Sequence, residues 1–201
     1  MQRLLLATGN PGKLAEFREL LAPRGFAVLG QRELGIEDPE ETGATFVENA
    51  LLKARHASAL SGLPALADDS GLCVDALDGA PGLRSARFAG AAAGAADNLA
   101  LLLQRLAGVP DAQRGAHFVC VLAWLQHAGD PDPLLACGRW HGRILSAPRG
   151  SGGFGYDPVF LDPELGRSAA ELEVGEKQGR SHRGRALRAL LGEPGAPVFR
   201  R

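Results

Sequence analysis

Hydrophobic positions along this chain switch between short continuous runs and three-then-four spacing, the sign of strands alternating with helices. The apolar run Leu4-Leu5-Leu6-Ala7 stops at Thr8-Gly9-Asn10-Pro11-Gly12, and Leu14, Phe17, Leu20 and Leu21 then share one helical face. This predicts strand, tight loop, helix. Residues 27–29 read as a short strand, whereas 31–43 are polar, acidic and without period. Thr45-Phe46-Val47-Glu48 has capping-box spacing, and Phe46, Ala50, Leu51, Ala54, Ala57 and Leu60 continue a long helix. Asn49, Lys53 and His56 step along another side of it, where one ligand could meet all three. Residues 63–67 form a β run expected to end in Asp68-Asp69 and a Ser70-Gly71 turn. Residues 79–90 read as a loop carrying Arg84 and Arg87, and Asp97 is expected to cap a helix bearing Leu99, Leu102, Leu103 and Leu106. Residues 116–126 and 134–144 read as paired strands, and the glycine-rich stretch from Gly150 enters another short strand. Ser181-His182-Arg183-Gly184 opens a last helix, and neither an internal repeat nor an interdomain linker interrupts the alternation. The expectation is an α/β fold in which two lobes share one sheet.

Composition narrows the class. The chain has 201 residues, 45% of them apolar and 22% charged, enough for a sizeable core without disulfide or metal staples. A formal net charge of −1 supplies no global attraction to nucleic acid or to an anionic membrane. Cys73, Cys120 and Cys137 are too few and too scattered for a disulfide framework or a zinc site and read as buried fillers. Four apolar residues after Met1-Gln2-Arg3 are too short for a signal peptide, and no run approaches a membrane span. A cytoplasmic protein is expected.

Rare residues point to the chemistry. Only three of the 22 basic residues are lysine, at Lys13, Lys53 and Lys177, so those positions stand out where a compact ammonium must meet a phosphate oxygen. The Thr8–Gly12 turn, opening a helix beside Lys13, is expected to offer free backbone N–H groups and a positive dipole end to an anion, most simply a phosphate. It lacks the Walker spacing, because Leu14 follows Gly9-x-x-Gly12-Lys13. Adjacent Asp68 and Asp69 on extended backbone face opposite ways, so one of them would aim at a given metal or water. Glu40 and Glu41 offer further acid, with either able to face inward, and His182 lies beside Arg183. The Gly152–Asp157 stretch sets Phe154 and Tyr156 in permissive backbone, an aromatic face for a planar ligand. Magnesium, held by one or two carboxylates plus substrate phosphates, would connect the acidic and basic sets. Hydrolysis or transfer at a nucleoside polyphosphate follows as the reading. A non-catalytic nucleotide sensor is the alternative, and it gains little from carboxylates beside a triphosphate unless a metal intervenes.

Thr8-Gly9-Asn10-x-x-Lys13, Glu40-Glu41-Thr42-Gly43-x-Thr45-Phe46-x-Glu48-Asn49-Ala50, Ala67-Asp68-Asp69-Ser70-Gly71-Leu72, Gly82-x-x-Ser85-Ala86-Arg87, Gly153-Phe154-Gly155-Tyr156-Asp157-Pro158 and Ser181-His182-Arg183-Gly184 follow one another in this order. Together they resemble the Ham1 family, the inosine and xanthosine triphosphate pyrophosphatases. The resemblance implies an elongated mixed central sheet flanked by helices, with a substrate groove between two lobes of a single domain over residues 1–201, and a homodimer. It implies Mg2+-dependent hydrolysis of ITP, dITP and XTP to the monophosphate and pyrophosphate, which clears deaminated purines from the nucleotide pool.

Residue by residue, the resemblance implies that Thr8, Gly9, Asn10, Pro11, Gly12 and Lys13 cradle the triphosphate, with Lys53 and Lys177 adding charge. Asp69 matches the catalytic acid and a metal ligand, supported by Asp68, and Glu40 matches a second metal ligand with Glu41 as its rival. Ser70 would lie beside the nucleotide, Phe154 would stack on the purine, and Gly155, Tyr156 and Asp157 would shape the pocket. Lys177, His182 and Arg183 would read the base edge. Donors facing the 6-keto oxygen would disfavour the 6-amino group of adenine, at roughly 1 to 3 kcal/mol for each group left unpaired.

Overall fold

The computed structural model is described over residues 2–192. β1 (Gln2–Ala7), α1 (Pro11–Leu21), β2 (Phe26–Gly30), α2 (Phe46–Ser61) and β3 (Ala65–Val74) occupy the first part of the chain. They are followed by α3 (Ala95–Arg105), β4 (Gly115–Leu125), β5 (Leu134–Ile144), β6 (Phe160–Asp162), β7 (Arg167–Ser168), α4 (Val174–Arg180) and α5 (His182–Leu190). The strands form one seven-stranded sheet in the order β2-β1-β3-β4-β5-β6-β7. β1 runs parallel to β2 and β3, whereas β6 is antiparallel to β5 and β7, so the sheet is mixed.

The chain divides into two compact units. The first gathers residues up to Asp69, Cys120–Gly138 and the chain from Gly184; the second holds Ser70–Val119 and Arg139–Arg183. In the first unit, Leu4 and Leu6 of β1, Leu66 of β3, and Cys120, Leu122 and Trp124 of β4 pack with Phe17 and Leu21 of α1 and Leu187 of α5. These strand positions alternate, so they belong to one sheet face, and the apolar stripe of α1 covers it. In the second unit, Leu72 and Val74 of β3, Phe118 of β4 and Trp140 of β5 form a separate core with Leu102, Tyr156 and Phe160.

Two expectations are corrected. β3 does not end at the acidic pair but runs on through Ser70 and Gly71 to Val74, because both carboxylates find cationic partners without leaving the strand. α3 is capped by Gly94; Asp97 sits three residues inside, its carboxylate accepting the Gly94 N–H at 2.8 Å. The arginine-bearing loop also contains a 3-10 helix, Gly82–Arg87, tied down by Ser85 Oγ, which accepts the Leu72 N–H and donates to the Gly82 carbonyl.

Phe17 is fully buried on the face of α1 whose first turn carries Lys13. Phe17→Ala is expected to cost about 3 to 5 kcal/mol of stability, read as a lower urea midpoint.

Candidate functional site

In the first unit, the β1–α1 turn is organised by its own polar side chains. Asn10 caps α1, its Oδ1 accepting from Gly12 N at 2.9 Å and Lys13 N at 3.2 Å. Thr8 Oγ1 accepts the Asn10 N–H at 3.2 Å, and Pro11 brings no N–H to the first turn. The expectation of free first-turn amides is therefore corrected at Asn10, Gly12 and Lys13: the cap satisfies them, and attraction for an anion falls to the helix dipole and to lysine. A Cβ at Gly9 would meet the side-chain tips of Asp38 and Arg32, which lie over the turn.

Asp68 and Asp69 follow the strand's alternation. Asp68 lies on the face covered by α1 and pairs with Lys13 Nζ. Asp69 accepts from Lys53 Nζ of α2 at 2.6 Å. Lys53 also reaches Glu41 Oε1 at 3.2 Å, so two carboxylates converge on one ammonium. Glu40 is exposed, and of the two glutamates it is Glu41 that joins the cluster.

Burial pushes the Asp69 carboxyl above its ordinary value, with the positive charges and hydrogen bond of Lys53, and the charge of Lys13, pulling against it. Burial alone would lower the Lys53 ammonium, but Asp69, Glu41 and Asp68 together raise it, so Lys53 is charged at any working pH.

The predicted shared ligand face of α2 is also corrected. Only Lys53 meets the acidic cluster. Asn49 Oδ1 accepts the Gly43 N–H at 2.8 Å, and the His56 ring donates to the Glu37 carbonyl at 3.0 Å. These two side chains fasten the acidic segment to the helix and so help place Glu41.

The second unit holds the other set. Asp157 Oδ2 accepts from Phe154 N at 2.8 Å and from Lys177 Nζ at 2.6 Å, closing the glycine-rich loop and fixing a lysine beside it. At Gly153, φ is +69° and a Cβ would lie 2.1 Å from Asp157 Oδ2, so this turn requires glycine. The Phe154 ring has Lys177 Nζ 5.3 Å and the Arg183 guanidinium 5.2 Å from its centroid, the range of cation–π attraction. Arg183 also donates to Ser70 Oγ at 3.0 Å. His182 stacks on Phe118 at 4.7 Å and 13° between planes.

Tyr156 departs from the expected open aromatic face. Its ring belongs to the core and its hydroxyl donates to the Ser85 carbonyl at 2.9 Å, with burial holding its pKa above the ordinary tyrosine value. Gly155, at φ +63°, completes the turn between Phe154 and Tyr156. Phe154 is the aromatic that remains half-exposed.

Sequence reasoning missed Cys120. Its Sγ donates to Asp68 Oδ2 at 3.1 Å, and only the neighbouring positions of β3 and β4 in the sheet bring the two together.

A mixed α/β sheet carrying buried lysine–carboxylate pairs beside a capped strand–helix turn, with a cation-flanked phenylalanine on a glycine loop, is the equipment of a nucleotide-handling enzyme. The chain belongs to the Ham1 family, whose pattern it matches over residues 4–193. It is 58% identical to the dITP/XTP pyrophosphatase of Pectobacterium atrosepticum, across 95% of this chain and 97% of that protein. The dITP/XTP pyrophosphatase of Ralstonia nicotianae is 60% identical, across 95% of this chain and 96% of its own length. Among solved structures, a HAM1 protein from Coxiella burnetii superposes with a TM-score of 0.86 at 49% identity, covering 94% of this chain and 96% of that one. A nucleoside-triphosphatase / dITP/XTP pyrophosphatase from Mycobacterium abscessus superposes with a TM-score of 0.74 at 44% identity, covering 94% and 99%.

The raised Asp69 carboxyl gives a sign to its linkage. Its contribution to stability is fully present below its unfolded value and is lost as pH rises through the higher native value. Lys53→Met removes the main opposing charge and is expected to move the Asp69 titration further up, read from its side-chain carboxyl carbon by NMR in metal-free protein.

Proposed function

We propose that this chain hydrolyses deaminated purine nucleoside triphosphates, dITP, XTP and ITP, to the monophosphate and pyrophosphate. The observation that carries the reading is the Asp69–Lys53–Glu41 cluster, with Lys13 paired to the adjacent Asp68, in a chain 58% identical to a dITP/XTP pyrophosphatase. Two lysines against three carboxylates leave an acidic excess, which would repel a triphosphate unless a further cation joins it.

The residues fit that cation as magnesium. Glu41 and Asp69 already converge on one positive centre, and among the described residues no group of three histidine, cysteine or acidic side chains could cage an ion. Magnesium needs no such cage, since it binds through one or two carboxylates and completes its shell with phosphate oxygens and water. Asp69 with Glu41 would hold it, with Glu40 the other glutamate offered by the motif. Bound there, the ion would neutralise charge developing on the phosphate oxygens.

The protein's own groups do the rest. Lys13 and Lys53 attract the triphosphate and stabilise the leaving pyrophosphate, with Thr8, Gly9, Asn10, Pro11 and Gly12 shaping the turn around it. Asp69 takes the proton of the attacking water, a role suited to a carboxyl lifted above its ordinary value by burial. Phe154 stacks on the purine, Ser70 and Arg183 lie beside the nucleotide, and Lys177, His182 and Arg183 present donors to the 6-keto oxygen. Gly155, Tyr156 and Asp157 act by holding the Phe154 loop.

The single domain, the two lobes with their groove, the homodimer and the cytoplasmic setting implied by the resemblance belong to the same proposal. Among the described residues no helix is long and apolar enough to cross a membrane.

Product analysis with dITP, XTP, ITP, GTP and ATP tests the reaction. Pyrophosphate and the monophosphate are expected from the first three in the presence of magnesium, with GTP and ATP largely intact; release of orthophosphate would refute the assignment. Asp69→Asn is expected to lower kcat by about 100- to 10,000-fold while leaving the circular dichroism spectrum unchanged. Phe154→Ala should raise KM for dITP by roughly tenfold through lost stacking, and unaltered kinetics would remove the base from that ring.

A further inference from the structure

Asp68 is fully buried, and each of its two oxygens accepts from a side chain distant in sequence. Oδ1 takes the Lys13 ammonium, and Oδ2 takes the Cys120 thiol at 3.1 Å. We propose that Cys120 is a positioning residue for phosphate binding: its hydrogen bond sets the orientation of Asp68, and Asp68 in turn anchors Lys13 beside the Thr8–Gly12 turn. This inference rests on the reading of that turn as a triphosphate site.

What the thiol adds follows from the chemistry of the two side chains. The terminal torsion of an aspartate is broad and roughly two-fold, so a carboxylate bonded at one oxygen can still turn. Lysine cannot stop it, being a point charge on a flexible four-carbon stem with three rotatable donors. A donor on a strand is different. Cys120 sits on β4, neighbour to β3, and is itself fully buried in the core formed with Leu66, Leu122 and Phe17. Its backbone is fixed by the sheet and its side chain by packing, so the thiol holds Oδ2 in one place and leaves Oδ1 toward α1. A thiol is a weak donor to a neutral acceptor, but an ionised acceptor and a low local dielectric strengthen the bond. Lys13 is nearly buried beside the Asn10 cap, so its ammonium would be displaced if the carboxylate turned.

Cys120 touches neither water nor substrate in this scheme and acts only through Asp68, which separates it from a filler of equal volume. Cys120→Ser keeps a donor, whereas Cys120→Ala removes it. Inorganic tripolyphosphate is the probe, since it reports the phosphate subsite without a base; binding by the wild-type chain, measured by calorimetry, comes first. No binding there would overturn the triphosphate reading itself, independently of any variant.

With binding established, Cys120→Ala is expected to weaken tripolyphosphate about three- to tenfold and to raise KM for dITP more than it lowers kcat. Cys120→Ser should bind close to wild type. The S–H stretching band of Cys120, isolated in the infrared difference between wild type and Cys120→Ala, should lie at the low frequency of a strongly bonded thiol and move up in Asp68→Asn. An alanine variant that binds as wild type, or a folded serine variant as weak as the alanine one, would overturn the proposal. Should the alanine variant fail to fold, the wild-type, Cys120→Ser and Asp68→Asn spectra decide it: an S–H band unchanged by Asp68→Asn refutes the coupling.

Discussion

Two adjacent carboxylates buried in the middle of a strand are the constraint on which the first unit depends. Asp68 and Asp69 stand on β3 with little or no exposure, and each buried charge costs several kcal/mol unless it is paired in good geometry. Extended backbone turns them to opposite faces, so one lysine cannot serve both. The fold answers with Lys13 from α1 for Asp68 and Lys53 from α2 for Asp69. The positions of both helices are thereby tied to the acidic pair, and so is the segment holding Glu41, which Asn49 and His56 fasten to α2.

Buried ion pairs of this kind are poor devices for stability, because apolar residues of similar size usually do as well or better. Their presence is better understood as chemistry. Burial lifts the Asp69 carboxyl beside the charged Lys53, the arrangement on which its proposed role as proton acceptor rests, and Lys13 of α1 pairs with the neighbouring Asp68. The second unit repeats the device with another purpose: Asp157 holds Lys177 and the Phe154 amide together, and thereby presents a ring flanked by two cations. In the proposed reading, the first unit supplies the groups for phosphate and water, and the second those for a planar base with a carbonyl edge.

Much of this was legible before any coordinates. The apolar run, cap and helical stripe of residues 4–21 specify β1 and α1 through local rules, and the Thr45 cap, whose Oγ1 accepts the Glu48 N–H, places the start of α2 at Phe46. The motif residues Lys13, Lys53, Asp69, Phe154, Lys177 and Arg183 stand out because their types are scarce or chemically pointed. Where reading along the chain went astray, the cause was a partner distant in sequence. Asp68-Asp69-Ser70-Gly71 has turn composition, yet stays in a strand because lysines 55 and 16 positions away satisfy the acids. Tyr156 looked like half of an aromatic slot, but a carbonyl 71 positions away takes its hydroxyl and draws the ring into the core.

By itself, then, the sequence determined the alternation of elements, the family and the kinds of side chain available for chemistry, since these follow from local periodicity, capping and motif order. Tertiary structure decided which partners meet. It drew Glu41 rather than Glu40 to Lys53, used Asn49 and His56 as fasteners, and turned Cys120 from a filler into a donor to Asp68. Strand neighbours and facing helices bring together residues tens of positions apart, and the energy of burying a charge depends on that meeting, which periodicity along the chain does not encode.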